Sequence, residues 1–181
     1  MKLPGAPARP FRRPQGHLAG YAFVALGSNL GDSRQTVLRA ANRLRQLSCA
    51  PLLRSALWET APVDCPPGAP LFINAIVALQ PRSGETPESL LAKLLELETE
   101  FGRQPKKVLN EPRRLDLDLI LFGNEIRVSA QLTLPHPRAL HRRFVLQPLS
   151  ELAPDLVFPG QSEAVAQLLD RLPTDPAMRK L

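Results

Sequence analysis

Apolar residues follow two different periods along the chain, and these predict a mixture of strands and helices. Short apolar runs at 21–26, 52–58 and 72–79 are typical of buried strands, and residues 115–122 alternate between polar and apolar as another strand would. Residues 33–47 and 86–101 carry apolar side chains at helical spacing. Because no helix separates 52–58 from 72–79, we expect these two strands to form an antiparallel pair.

Both predicted helices have recognisable ends. Asp32 is a candidate N-cap of the first helix, with Gln35 three residues later. Thr86 is the expected N-cap of the second helix, Pro87 suits its first position, and Gly102 suits its C-terminal end. These local signals fix where each helix begins or ends.

The order of the predicted elements indicates the fold class. Prolines interrupt the chain after residue 134, and the only later element that the pattern predicts is a short amphipathic helix at 163–172. Strands and helices interleave, and at least one pair of strands is joined directly. We therefore expect an α+β fold with helices packed on a mainly antiparallel sheet.

Length and composition limit the possible classes of protein. The chain has 181 residues, of which 44% are hydrophobic and 22% charged, which is ordinary for one globular domain and excludes collagen-like, coiled-coil and wholly disordered chains. No apolar run approaches the roughly 18 residues of a membrane span, so we expect a soluble protein. Only two cysteines occur, without a metal-binding pattern, and a reducing cytoplasm is the expected compartment.

The net charge of +6 is concentrated near the N-terminus. Residues 1–20 contain no acidic residue, several prolines and the basic residues Lys2, Arg9, Arg12 and Arg13. We predict a disordered, basic, proline-rich extension over 1–20 and a single domain over 21–181. The domain itself is nearly balanced in charge, so we expect no nucleic-acid partner.

Two carboxylates occupy alternate positions of the strand predicted at 115–122. Alternation places Asp116 and Asp118 on one face, about 6.6 Å apart along the strand. The opposite face is predicted to carry Leu115, Leu117, Leu119 and Leu121. Such a pair can hold one or two Mg²⁺ ions that complete their coordination with waters and phosphate oxygens. The alternative is a half-exposed sheet on which both aspartates simply face water.

A basic segment lies immediately before the two aspartates. Residues 103–114 include a single acid, Glu111, and the basic residues Arg103, Lys106, Lys107, Arg113 and Arg114. Because an arginine fork binds phosphate oxygens bidentately, adjoining basic and acidic groups predict a site for a Mg-nucleotide. The common glycine-rich nucleotide motifs are absent, and the glycine spacing at 27–31 is that of a strand-to-helix turn.

A third carboxylate belongs to the second predicted helix. Glu98 lies one turn beyond Leu94, on or beside the apolar stripe. Spacing alone favours a solvated position for Glu98, because buried glutamates are uncommon without a partner.

Taken together, these segments resemble the 6-hydroxymethyl-7,8-dihydropterin pyrophosphokinases, a family of folate-pathway enzymes. The resemblance runs in one collinear order from about residue 21 to about residue 172. Its strongest segments are VALGSNLGD at 24–32, ETEFGR at 98–103, PRRLDLDL at 112–119, LPHPR at 134–138 and RRFV at 142–145. The family implies a ferredoxin-like sandwich and transfer of diphosphate from ATP to the hydroxymethyl group of the pterin, leaving AMP.

The resemblance implies an ATP-binding half of the site. By position, Asp116 and Asp118 match the ligands of two Mg²⁺ ions that bridge the ATP phosphates. Arg103 and Arg113 match catalytic arginines that contact the triphosphate. The other matching ATP-binding positions are Glu98, Gln131, Thr133, His136 and Arg142.

The resemblance also implies a pterin-binding half. Phe72 and Phe144 match two aromatic residues that sandwich the ring, and Asn74 matches the residue that reads its polar edge. The matching pocket loop contributes Thr60, Pro62 and Val63. These types suit a flat heteroaromatic ligand, because rings stack and an amide both donates and accepts hydrogen bonds. Without the resemblance, Phe72 and Phe144 would be interpreted as core residues.

Two other classes of protein fit some of these features. An RNA-binding domain with a ferredoxin-like sheet would suit the basic extension, but only 5% of the residues are aromatic and no RNP-like pattern is present. A Mg²⁺-dependent phosphohydrolase could use the same aspartates and would consume ATP without a pterin. We expect a cytoplasmic, monomeric pyrophosphokinase that acts on small molecules.

Overall fold

A computed structural model describes residue 18 and residues 20–63, 65–103 and 112–181. Its strands form one large sheet and one small hairpin. The strands are β1 (Ala22–Ser28), β2 (Leu53–Arg54), β3 (Trp58–Thr60), β4 (Phe72–Leu79), β5 (Asp116–Phe122), β6 (Arg127–Val128), β7 (Thr133–Leu134) and β8 (Arg179–Lys180). β6 and β7 form the hairpin, while the large sheet has the order β5-β1-β4-β3-β8, with β2 also paired to β4. All of these pairings are antiparallel.

Four α-helices accompany the sheet within the described residues. They are α1 (Ser33–Leu44), α2 (Pro87–Glu100), α3 (Arg143–Leu152) and α4 (Val165–Arg171). The order β1-α1-β3-β4-α2-β5, with β1 and β4 in the centre of the sheet, is that of a ferredoxin-like fold. The predicted α+β class and antiparallel sheet are therefore confirmed.

Helices cover both faces of the sheet, and each face has its own apolar core. On one face α1 and α2 pack against residues such as Val24 and Val77. On the other face α3 and α4 pack against Phe23, Ile76 and Ile120. Burial on both faces explains why β1 and β4 are almost continuous apolar runs instead of alternating patterns.

The predicted helix ends are confirmed by their hydrogen bonds. The backbone N–H of Gln35 donates to Asp32 Oδ1 at 3.0 Å, which caps α1. At α2, the N–H of Ser89 donates to Thr86 Oγ1 at 3.1 Å, and the N–H of Thr86 donates in return to Ser89 Oγ at 2.9 Å. Gly102 follows α2 with a φ of 87°, a left-handed conformation that glycine adopts without strain.

Two predictions about individual elements need correction. The strand predicted at 52–58 is divided into β2 and β3, both of which pair with β4. The sequence pattern predicted no helix at 143–152, where the structure has α3. Pro148 lies inside α3 and cannot donate the helical hydrogen bond to the residue four positions earlier. The helix forms because its apolar face, including Val145 and Leu149, is buried against the sheet.

A β-bulge in β5 changes the predicted alternation. Val24 pairs with Leu119 but Phe23 pairs with Leu121, so Ile120 is the extra residue. Leu117 and Leu119 therefore join the core under α1 and α2 as predicted, whereas Leu121 joins the opposite core. The prediction that Leu121 lies on the same face as these leucines was wrong.

Within the described residues, no helix combines the length and apolar character required to cross a membrane.

Of the extension predicted at 1–20, only Leu18 and Gly20 are described, and Leu18 packs against the core under α3 and α4. The extension and the single domain over 21–181 stay predictions.

Candidate active site

One end of the sheet face that carries α3 and α4 forms the floor of a cavity of about 430 Å³. A row of residues crosses three strands there, because Gly27 of β1 pairs with Asn74 of β4 on one side and with Asp116 of β5 on the other. All three line the cavity, as does Asp118. Farther along the same strands, the corresponding positions are apolar and covered by helices. The sheet is thus polar where the cavity exposes it.

Charged side chains lie close to both aspartates of the cavity floor. Asp116 Oδ1 is 2.9 Å from Arg113 Nη1 and 3.7 Å from Arg103 Nη1. Burial, followed by the negative charge of Asp116, raises the pKa of Asp118, and the positive charges of Arg142 and Arg113 partly oppose the shift. A cation placed beside Asp116 and Asp118 would favour the charged form of both carboxylates and so oppose this shift.

Glu98 is fully buried, so the predicted solvated position was wrong. Its Oε1 accepts a hydrogen bond of 2.7 Å from the N–H of Leu117, the residue between the two aspartates. Its Oε2 forms an ion pair with Arg103. Burial raises the pKa of Glu98, while these two partners act in the opposite direction. Glu98 therefore joins α2, β5 and Arg103 from behind the cavity, which it does not line.

Asn29 connects the two segments that flank the cavity floor. Its Oδ1 accepts a hydrogen bond of 2.8 Å from the N–H of Arg113, and its own N–H donates to the carbonyl of Arg113 at 3.1 Å. Its Nδ2 donates to the carbonyl of Pro70 at 3.3 Å, just before β4. Asn29 is almost fully buried. It thus fixes the backbone of the arginine beside Asp116.

The cavity wall beyond Asn74 combines aromatic and hydrogen-bonding groups. Asn74 Nδ2 donates to Thr60 Oγ1 at 2.8 Å, which leaves the amide oxygen and the second amide proton for other partners. Phe72, at the start of β4, and Phe144, in the first turn of α3, both line the cavity. The Arg142 guanidinium carbon lies 5.3 Å from the centre of the Phe144 ring, a cation–π distance.

The opposite end of the cavity lies beyond β5, where α2 approaches the β6-β7 hairpin. Leu91 and Leu95 of α2 line it, together with Gln131 and Thr133 of the hairpin. This part of the wall therefore combines two leucines with two polar side chains.

His136 is held against the bulge of β5. Its N–H donates to the carbonyl of Ile120 at 3.0 Å, so the bulge residue binds the segment that follows β7. Its Nδ1 accepts a hydrogen bond of 3.3 Å from the N–H of Arg138. Burial lowers the pKa of His136, and the charge of Asp118 opposes this shift. The imidazole lines the cavity near the aspartates.

Comparison with known proteins identifies the family. The model of the 7,8-dihydro-6-hydroxymethylpterin-pyrophosphokinase (HPPK) family matches residues 23–154. The chain belongs to this family. The match spans α1, α2, α3 and every strand that contributes to the cavity floor.

Individual relatives agree with this assignment. The 2-amino-4-hydroxy-6-hydroxymethyldihydropteridine pyrophosphokinase of Haemophilus influenzae is 36% identical over 88% of this chain and 97% of that protein. The protein of the same name from Synechocystis is 37% identical over 83% of this chain and 75% of that protein. A folic acid synthesis protein of Pneumocystis carinii is 36% identical over 83% of this chain, which spans only 20% of that longer protein.

Solved structures show a similar fold. An HPPK-DHPS protein in complex with substrates has a TM-score of 0.64 at 14% identity, with 83% of this chain and 42% of that chain covered. The wild-type HPPK-DHPS of Plasmodium falciparum has a TM-score of 0.62 at the same 14% identity, with 83% and 44% covered. At such low identity, these structures bear on the fold alone.

The cavity brings together nearly all the site residues predicted from the HPPK resemblance. Those that line it are Thr60, Val63, Phe72, Asn74, Arg103, Arg113, Asp116, Asp118, Gln131, Thr133, His136, Arg142 and Phe144. Pro62 and Glu98 do not line it. Lys106 and Lys107 lie outside the described residues. The roles of these residues stay predictions.

Sequence reasoning missed two parts of the site. Gly27 and Asn29 belong to the segment at 27–31, which was interpreted as a turn and as part of the family resemblance but was given no role in the site, although its glycine and amide could have indicated close backbone approach. Leu91 and Leu95 belong to the apolar pattern that predicted the helix at 86–101, and no sequence signal separates them from the other leucines of that helix.

Proposed function

We propose that the cavity binds Mg-ATP and 6-hydroxymethyl-7,8-dihydropterin side by side and transfers the diphosphate of ATP to the pterin hydroxymethyl group. Membership of the HPPK family makes the chain an ATP-dependent diphosphotransferase of folate biosynthesis. One observation carries the assignment to this cavity. Acidic, cationic and aromatic side chains that suit the two substrates line a single space of about 430 Å³.

The phosphate chain of ATP is proposed to lie over β5. Arg103, Arg113 and Arg142 line the cavity around Asp116 and Asp118. Guanidinium groups bind phosphate oxygens with two parallel hydrogen bonds. The base would extend toward Leu91 and Leu95, where the cavity wall is apolar and Gln131 and Thr133 supply polar groups.

The residues present fit Mg²⁺ bound jointly with a nucleotide. The described residues contain no group of three or more His, Cys, Asp and Glu side chains that could hold a metal ion. Mg²⁺ is commonly held by only one or two carboxylates, with phosphate oxygens and waters completing its shell. We assign Asp116 and Asp118 as its ligands and propose two ions. When bound, Mg²⁺ neutralises the charge that develops on the transferring phosphate groups.

The pterin is proposed to lie over Asn74, between Phe72 and Phe144. The Asn74 amide is oriented by its hydrogen bond to Thr60, so it can present both an acceptor and a donor to the ring edge. Flat rings gain stacking energy between two aromatic side chains. Val63 and the neighbouring Pro62 belong to the loop at the mouth of this half of the cavity.

The reaction follows from this alignment. The pterin hydroxymethyl oxygen attacks the β-phosphorus of ATP, its proton passes to solvent, and the bond from the β-phosphorus to the oxygen of the leaving AMP breaks. Such transfers depend on positioning and charge stabilisation more than on covalent catalysis. Arg103 and Arg113 supply fixed positive charge, Glu98 holds Arg103 from behind, and Asn29 holds the backbone of Arg113.

The cellular setting is also proposed. We infer a cytoplasmic monomer that acts on small molecules, with no nucleic-acid partner. The near balance of charge outside the basic N-terminal segment supports the last of these points.

Asparagine variants of the aspartates test the site. We expect Asp116→Asn and Asp118→Asn each to lower AMP formation from Mg-ATP and the pterin by a factor of about 10²–10³ or more, because each removes a metal-binding charge. Asp155→Asn, on the exposed turn after α3, is the matched control and should keep normal turnover. Unchanged turnover in either site variant, with Asp155→Asn also normal, would contradict the assignment.

A further inference from the structure

The C-terminal strand β8 lies at the outer edge of the sheet and pairs with β3. Lys180 is opposite Trp58 and Arg179 is opposite Glu59. The N–H of Leu181 extends the ladder by donating to the carbonyl of Leu57 at 2.9 Å. β3 has only three residues and lies between β4 and β8, so β8 is one of its two strand neighbours.

Side chains connect β8 to its surroundings on both faces of the sheet. On one face Arg179 Nη2 lies 2.8 Å from Glu59 Oε1. On the other face Lys180 Nζ lies 5.8 Å from the centre of the Trp58 ring and 2.6 Å from Glu151 Oε1 of α3. Glu151 Oε2 also accepts a hydrogen bond of 2.7 Å from the N–H of Ala56, just before β3. The edge is therefore fixed by a network and not by one exposed ion pair.

The strand held by this network leads directly into one half of the cavity. Trp58 pairs in register with Asn74 and lies on the same sheet face. Thr60, the last residue of β3, is the hydrogen-bond partner that orients the Asn74 amide. The chain then continues into the loop that lines the cavity through Val63 and Cys65.

The other half of the cavity has separate support. Arg113 and Arg103, the two arginines that contact Asp116, lie just before β5 and just after α2, and β5 does not pair with β3 or β8. Arg142 precedes α3, which Lys180 of β8 contacts only at the far end of that helix, through Glu151. A change confined to β8 should therefore act mainly on the pterin-binding half of the cavity.

We propose that β8 is a positioning element for the pterin-binding half of the site: it holds β3, which fixes Thr60, the Asn74 amide and the start of the following loop. The identity of the ligand rests on the function proposed above. The mechanical part, that β8 restrains β3 and the loop, does not depend on which ligand binds.

Two variants loosen β8 in different ways. Arg179→Ala with Lys180→Ala removes the side-chain network, and Leu181→Pro removes the N–H that donates to Leu57. Arg171→Ala is the matched control, because it removes an equally exposed arginine from an ion pair with Glu163, on α4.

Steady-state kinetics and hydrogen exchange provide the readouts. We expect both β8 variants to raise KM for the pterin, and its Kd measured by fluorescence without ATP, about three- to tenfold. KM for ATP and kcat should stay within about twofold of the unmodified protein. Amides of residues 58–63 should exchange faster, while those of β5 keep their protection.

Each outcome is decisive for one of the two claims. Unchanged pterin KM in both variants, or an equal rise in KM for ATP, would overturn the positioning role. Absence of pterin-dependent AMP in the unmodified protein would instead overturn the proposed function, and exchange at 58–63 would then decide alone whether β8 restrains β3. Unchanged exchange there would overturn that claim as well.

Discussion

Replacement of Glu98 is the sharpest test of how the site is supported from behind. The Glu98 side chain is only 1% exposed, and its partner Arg103 is 22% exposed. The two oxygens have different tasks, because one accepts the N–H of Leu117 and the other pairs with Arg103. Glu98→Ala removes both interactions, whereas Glu98→Gln keeps a carbonyl oxygen for Leu117 and loses only the charge.

The magnitude follows from these two losses. Leaving the buried N–H of Leu117 unpaired costs about 1–3 kcal/mol. Removing one member of a fully buried ion pair costs about 3–5 kcal/mol. The cost of losing the pair with Arg103 should be smaller, because Arg103 is partly exposed and keeps a second carboxylate, Asp116, at 3.7 Å. Both variants also remove a buried negative charge, and the loss of its desolvation cost offsets part of this destabilisation. We expect Glu98→Ala to lower the free energy of unfolding by about 3 kcal/mol, and Glu98→Gln by about 1–2 kcal/mol.

Urea denaturation followed by circular dichroism measures both values. Glu100→Ala is the control on the same helix, because Glu100 is half exposed and its ion pair with Arg43 spans the surface. Its loss should stay below about 1 kcal/mol. Both Glu98 variants should also raise KM for ATP, since Arg103 loses its anchor. A Glu98→Ala loss no larger than that of Glu100→Ala would refute the account of a buried pair.

Three further substitutions test other parts of the structure. Gly27→Ala would place a Cβ 3.0 Å from Asn74 Oδ1, so we expect pterin affinity in a fluorescence titration to fall about tenfold, and an unchanged Kd would contradict this. Asn29→Ala should lower the free energy of unfolding in urea by about 1–3 kcal/mol, because the partly buried N–H of Arg113 loses its acceptor, and Asn29→Asp should restore part of that loss. Thr86→Ala removes the N-cap of α2 and should cost about 1 kcal/mol without changing kcat, as a thermal melt and an AMP assay would show.

The elements that depend on local sequence were predictable. Asp32 and Thr86 cap helices through hydrogen bonds to residues three positions later, so all the information lies within one turn. The strand at 72–79 was predicted with its observed bounds because its apolar run is continuous. The antiparallel sheet and the α+β class were predictable from the order of these elements along the chain.

The errors occurred where distant residues decide the outcome. Glu98 is buried because Leu117, on another strand, supplies its N–H, and no helical pattern contains that partner. Pro148 argues locally against a helix, yet burial of one face against the sheet stabilises α3. The bulge at Ile120 moves Leu121 to the opposite core through pairing with β1. Each case needed tertiary contacts that a single sequence does not contain.

The residues that line the candidate site were largely predictable, but the residues that hold them in place were not. The sequence pattern itself indicated the acidic pair and the adjoining arginines, the resemblance to HPPK sequences added the aromatic residues, and most of these residues line one cavity. The groups that hold them, Asn29, Glu98 and the β8 strand, act through backbone atoms or through other side chains. The resemblance included the segments that contain Asn29 and Glu98, but no spacing within the sequence shows which backbone groups these side chains bind.

Incubation of the purified protein with Mg-ATP labelled separately at the α- and γ-phosphates, with and without 6-hydroxymethyl-7,8-dihydropterin, tests the central claim most directly. The account predicts that α-label appears in AMP only when the pterin is present, and that γ-label appears in the pterin product, which carries both transferred phosphates. Pterin-independent release of ADP and γ-labelled phosphate would contradict it and favour a phosphohydrolase.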